Sequence, residues 1–225
     1  MTIATNETVS KAMTNRAAWI MRQSRKCWPA DASFYLAGGS MSGDIIDLDV
    51  FPVEGTGDGF AAMGTIVSDT RNAATYSCSP WPIQVCKYRK PTLAALVESF
   101  DFAHIQVGAT VRLLNGHATV IDVAFTQAFL DAKAIGSSWF TGSDYPLSSL
   151  IRAAKYHKKG VLARSSHIRA TIDTLTAVVK RGFLGYDDFK DQLDAVDLGL
   201  VPEEFREVAA GSFRELFDLL ERKGQ

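Results

Sequence analysis

Residues 44–52 read Asp-Ile-Ile-Asp-Leu-Asp-Val-Phe-Pro, and this stretch restricts the fold more than any other. Ile46, Leu48 and Val50 alternate with Asp47 and Asp49, the period-2 pattern of a strand with one apolar and one acidic face. Just before it, the apolar run Phe34 to Ala37 ends at Gly38-Gly39-Ser40, which predicts a strand running into a glycine turn. Such a strand pair needs a sheet whose apolar face is covered. From Thr8 to Cys27 the residues Val9, Ala12, Met13, Ala17, Ile20 and Met21 recur three or four apart, the pattern of an amphipathic helix. Lys11, Arg16, Arg22, Arg25 and Lys26 give that helix a basic outer face.

The rest of the first half reads as mixed structure. A helix is expected over Phe60 to Asp69, then strands near Thr75 to Ser79 and Ile83 to Tyr88, and a short helix started by Pro91. Phe102 to Leu114 is rich in branched residues and ends at Asn115-Gly116, a hairpin signal, with His117 to Val123 returning. Beyond this the pattern turns helical. Segments near Phe125–Lys133, Pro146–Lys159, Ser166–Arg181, Tyr186–Leu193 and Pro202–Arg222 follow, with Ser165 or Ser166 as a cap. A boundary near Ser143 to Pro146 divides the chain into a core of residues 1–143 and a helical region of residues 144–225. Strands followed by helices describe an α+β protein.

Composition narrows the function. Twenty-four Lys and Arg against twenty-five Asp and Glu leave a net charge of −1, so any affinity for polyanions must come from local clusters. No window approaches the roughly 18 apolar residues of a membrane-spanning helix, and residues 1–10 are too polar for a signal peptide, which predicts a cytoplasmic protein without a membrane partner. Cys27, Cys78 and Cys86 show no CxxC spacing, and His104, His117, His157 and His167 lack HxH or HExxH spacing. Packed, reduced thiols and no structural metal are expected.

Asp47 and Asp49, at i and i+2 of a strand, share a face and can share a divalent cation. Two hard oxygen ligands suit Mg²⁺, which usually takes one or two carboxylates and completes its shell with waters and substrate phosphates. A glycine turn beside them lets backbone N–H groups approach a triphosphate, and the Ser40 hydroxyl adds a donor. Together these residues equip a chain for phosphoryl or nucleotidyl transfer.

At the level of motif, Leu36-Ala37-Gly38-Gly39-Ser40 followed by Ile46-Asp47-Leu48-Asp49-Val50-Phe51-Pro52 resembles the signature of nucleotidyltransferases of the DNA polymerase β superfamily. More narrowly, the chain resembles small nucleotidyltransferase-like proteins encoded by bacteriophages. Glu98 to His104 is similar to their F-D-F-T segment, itself reminiscent of the R-D-F-T motif of tRNA nucleotidyltransferases, and Leu150 to Gly160 to their R-I-x-K-Y-x-K-R-G helix. The resemblance runs from about Arg16 to Gly160. It implies a mixed-sheet nucleotidyltransferase core flanked by helices, Mg²⁺ on Asp47 and Asp49, triphosphate contacts from the Gly38-Gly39-Ser40 turn, and a bacterial host's cytoplasm as the location.

Two departures qualify what the resemblance implies. Six residues separate Ser40 from Asp47 where most of the superfamily has a full helix. The strand that carries a third carboxylate in fully active members offers Gln84 here. Asp101 is the candidate replacement as a catalytic carboxylate, while its match to R-D-F-T implies a ribose or structural contact.

Between residues 152 and 181 the chain carries Arg152, Lys155, Lys158, Lys159, Arg164, Arg169, Lys180 and Arg181 against the single acid Asp173. Arg152, Lys155 and Lys159 follow one another at helical-turn spacing and can face a triphosphate or a nucleic-acid strand together. The same density also suits a solvated face balanced by the acidic tail. Trp19, Trp28, Trp81 and Trp139 are read as packing residues.

Three functions follow. The first is Mg²⁺-dependent transfer of a nucleoside monophosphate from a nucleoside triphosphate to a hydroxyl on RNA, protein or a small molecule. The second keeps the fold without turnover, as a nucleotide- or nucleic-acid-binding regulator or inhibitor. The third is a structural component of a virus, with the terminal helices making oligomer contacts.

Overall fold

The computed structural model describes residues 6–53, 60, 63–70, 72–180, 182 and 185–194. The chain forms two compact units, residues 1–136 and 137–225. The expected helix over Pro202–Arg222 lies outside the described residues.

The first unit begins with α1 (Asn6–Gln23), which buries Val9, Met13, Ala17, Ile20 and Met21, the stripe its periodicity predicts. The sheet that α1 covers has seven strands: β1 (Ala32–Ala37), β2 (Leu48–Pro52), β3 (Ile66–Asp69), β4 (Ala73–Tyr76), β5 (Ile83–Cys86), β6 (Val107–Leu114) and β7 (His117–Phe125). Their order is β3-β4-β5-β2-β1-β6-β7. The β2–β5 pair is parallel and every other pair antiparallel, so the α+β class and mixed sheet expected from the sequence are present.

The pleat sends alternate residues to opposite faces. Phe34, Leu36, Leu48, Val50, Ile83, Val85, Ala109 and Val111 join the α1 residues in the larger core. Tyr35, Ala37 and Phe51 point the other way, against Leu93, Leu96 and Val97 of α3 (Leu93–Glu98). Close approach between α3 and the sheet rests on Gly108, in register with Ala37. A β-carbon there would lie 2.8 Å from Ala37 Cβ and 2.9 Å from Leu93 Cδ1. Gly108→Ala is therefore expected to destabilise the unit by ~1–3 kcal/mol through overpacking, read as a lower urea midpoint with an unchanged slope.

The hairpin expectation is met. Asn115 and Gly116 turn the β6–β7 hairpin with φ of 51° and 73°, the left-handed pair of a type I′ turn. Thr92 caps α3 by accepting from Ala95 N–H, and Thr126 caps α4 (Gln127–Ile135) by accepting from Phe129 N–H. Others are corrected. The helix expected over Phe60–Asp69 is not formed at residues 66–69, which are strand β3, a sheet edge paired with β4. The β-branched Ile66 and Val67 suit that edge, and Asp69 is held there by Lys87 Nζ at 2.6 Å. The helix placed at Pro91 starts two residues later, behind its Thr92 cap. The acidic strand starts at Leu48 rather than Asp44, which leaves Ile46 58% exposed instead of in the core.

The second unit contains α5 (Pro146–Lys158), α6 (Ser165–Lys180) and α7 (Tyr186–Asp194), close to the predicted segments. Pro146 occupies the first turn of α5, where its missing N–H has no intrahelical partner to lose. The Ser137 hydroxyl accepts from Arg164 N–H just ahead of α6 and lies 3.2 Å from His167 Nδ1.

Candidate nucleotide-binding site

β1 ends at Ala37, and Gly38 turns the chain with φ of 81° and ψ of −143°, a conformation that L side chains rarely adopt. Its N–H donates to the Val107 carbonyl at 3.0 Å, fixing the turn to β6. A single helical turn, α2 (Gly39–Ser42), follows, with Met41 fully buried beneath it. Ser40 is 3% exposed, and its hydroxyl has no hydrogen-bond partner. Leaving a buried hydroxyl unsatisfied costs about 1–3 kcal/mol, so the turn carries an unmet polar group.

The acidic pair meets this turn. Asp49 lies on β2, and a β-carbon built on Gly38 would lie only 3.4 Å from Asp49 Oδ2. Asp47 lies immediately before β2, and its charge and that of Asp49 both reach the Cys86 thiol. Both are half-buried. Across the parallel ladder, Gln84 of β5 stands in register with Asp49 and brings a neutral amide to that rung.

Cys86 belongs to the same neighbourhood and was not singled out from the sequence. Burial, reinforced by the negative charges of Asp49 and then Asp47, pushes its thiol well above the usual range. The signal was there in principle, since Cys86 follows Gln84 by two and must share its face, but only the β2–β5 pairing brings that face to the acids. Elsewhere in this unit, the Cys78 thiol is pushed up to about 12 by burial, then by its hydrogen bond to Cys27 and by the charge of Cys27. At pH 8 both thiols are therefore expected to alkylate far more slowly than a free cysteine, for Cys78 on the order of a thousandfold. Raised folded-state values stabilise the fold below the ordinary thiol pKa and withdraw that contribution as pH climbs beyond about 9. Mass spectrometry of iodoacetamide-treated protein at pH 8 and pH 10 checks the first point, and melting temperatures over the same range the second.

Arg16, assigned by periodicity to a solvated basic face, instead turns toward the site. Its Nε donates to the Ser40 carbonyl at 2.7 Å, and its second guanidinium nitrogen donates to the Gly43 carbonyl. Burial lowers its pKa from the usual value, and nearby Asp44 acts in the opposite direction.

Asp101 is 4% exposed and leads into a short 3₁₀ turn, Ala103–Ile105, that packs against α2. Among the described residues, no three His, Cys, Asp or Glu side chains are grouped to hold a metal, so Asp101 does not complete a cluster with Asp47 and Asp49. The donors present are two carboxylates with a neutral amide alongside. They fit Mg²⁺ only in its usual manner, one or two protein carboxylates with the remaining positions filled by substrate oxygens and water.

Arg152, Lys155 and Lys159 lie in the second unit. Arg152 and Lys155 are half-buried on α5, and Lys159 closes it, donating its N–H to the Lys155 carbonyl at 3.1 Å.

No family model matches the chain, and no curated protein does. Solved structures do. One similar structure is the Thermotoga maritima CCA-adding enzyme complexed with tRNA, with a TM-score of 0.48 and 14% identity over 94% of this chain and 54% of that one. Another is the Bacillus stearothermophilus CCA-adding enzyme in complex with CTP, with a TM-score of 0.44 and 11% identity over 81% of this chain and 48% of that one. The chain spans about half the length of these structures. No helix among the described residues is long and apolar enough to cross a membrane.

Proposed function

We propose that the chain transfers a nucleoside monophosphate from a nucleoside triphosphate to a hydroxyl acceptor. The observation that supports this reading is the Asp49 carboxylate beside the Gly38 turn, with Oδ2 3.4 Å from where a β-carbon on Gly38 would stand. Asp47 and Asp49 are the residues that would hold Mg²⁺, and the chemistry that ion would supply is neutralisation of charge on the α-phosphate and a lower pKa for the acceptor hydroxyl. Gly38 and Gly39 let the backbone approach the β- and γ-phosphates. The acceptor oxygen bonds to the α-phosphorus as the α–β anhydride breaks. Pyrophosphate leaves and the hydroxyl proton passes to water. Catalysis is then mainly positioning and electrostatics. Arg152, Lys155 and Lys159 are proposed to bind phosphate charge on the substrate or an RNA acceptor.

The test is incubation of the protein with each labelled nucleoside triphosphate, Mg²⁺, and bacterial RNA or protein. Transfer of label that is lost with a chelator supports the enzyme. A second reading is favoured by one observation, Gln84 in register with Asp49 where a third carboxylate would complete the metal site. On that reading the protein binds nucleotide or nucleic acid without turnover, as a regulator or structural component, and the same incubation gives binding without label transfer.

A further inference from the structure

A four-residue helix cannot hold itself in shape. Every N–H and C=O of α2 belongs to a helix end, and one turn has no ladder to propagate. Its internal bonds are Met41 N–H to the Gly38 carbonyl at 3.1 Å, Gly43 N–H to the Gly39 carbonyl at 3.0 Å, and the Ser42 hydroxyl to the same carbonyl at 3.3 Å. From outside, α2 is held by the buried Met41, by the Gly38 N–H bond to the Val107 carbonyl, and by Arg16, which crosses from α1 to the carbonyls of Ser40 and Gly43. A planar guanidinium can grip two carbonyls at once in a fixed geometry, and charge-assisted bonds of this kind are the stronger ones. The bond to Ser40 grips the residue whose hydroxyl is buried without a partner.

We infer that Arg16 is a positioning residue, clamping α2 so that the Gly38–Gly43 turn keeps the shape that meets Asp49. The clamp does for this short turn what a longer helix would do by its own ladder. This inference rests on the nucleotide-transfer reading for its functional consequence, but not for its structural one.

The experiment uses the full chain with Arg16→Ala and Arg16→Lys, and two readouts. The first is hydrogen exchange over residues 38–44. Arg16→Ala is expected to speed exchange there about tenfold or more, the loss of at least one charged hydrogen bond, while the strands on either side keep their protection. Arg16→Lys, which keeps the charge but not the planar fork, falls between and guards against a variant that fails to fold. The second readout is label transfer, where Arg16→Ala is expected to raise KM for the triphosphate about tenfold, with partial rescue in Arg16→Lys. Unchanged exchange in both variants overturns the inference. So does loosened exchange with unaltered KM. If the parent protein transfers no label, the transferase reading fails, and the exchange data alone decide whether Arg16 holds the turn.

Discussion

Asp49→Asn is expected to reduce label transfer by about 10²–10³-fold or more while the protein still melts within a few degrees of the parent. Asparagine keeps the shape of the side chain, so the packing of Val50, Leu48 and the Gly38 turn is retained. What disappears is the charge that would hold a divalent cation against the substrate phosphates. Asp47→Asn tests the same charge from the other member of the pair. Because Gln84 brings no charge to the neighbouring rung, nothing in register compensates for either loss. The loss is expected mainly in kcat rather than KM, because the charge matters most where negative charge develops during transfer. A binding module would behave differently, retaining most of its nucleotide affinity in both variants.

The largest expected effect on stability is at Phe34. It is fully buried at the centre of β1, stacked on Trp28 with ring centroids 4.9 Å apart and edge-on to Phe60 at 5.7 Å. Phe34→Ala removes those contacts and leaves a cavity between the sheet and its covering residues. Core Phe→Ala changes cost about 3–5 kcal/mol, a large part of the 5–15 kcal/mol that typically holds a domain together. A fall in melting temperature of about 10 °C or more follows for a chain of this size. Thermal unfolding followed by circular dichroism measures it, and a shift under about 3 °C would mean that the surrounding side chains close the gap.

How far the sequence could be read depended on the range over which each feature is encoded. Asn115-Gly116 and the α1 stripe act within a few residues of themselves, and local chemistry was enough to place them. The glycine turn and the acidic pair were legible for the same reason. Arg16 was not, because helical periodicity says only that it faces away from the α1 stripe, whereas its partners lie 24 and 27 residues on. Cys86 and Gln84 meet Asp49 through a parallel pairing that bridges more than 30 residues. Residues 66–69 misled because a short apolar run suits a helix or an edge strand, and only the pairing with β4 decides between them.

The strand order has one more consequence, for the chain as it is made. β1 lies between β2 and β6, and its partner on the second side is not synthesised until residues 107–114. At roughly 5–20 residues per second, a ribosome leaves that edge of β1 unpaired for several seconds after Ala37 emerges. During that interval the apolar strand that later carries the glycine turn is an open template for unwanted pairing. Assembly of the site is therefore a late event of folding, waiting on a segment that contributes none of its acids.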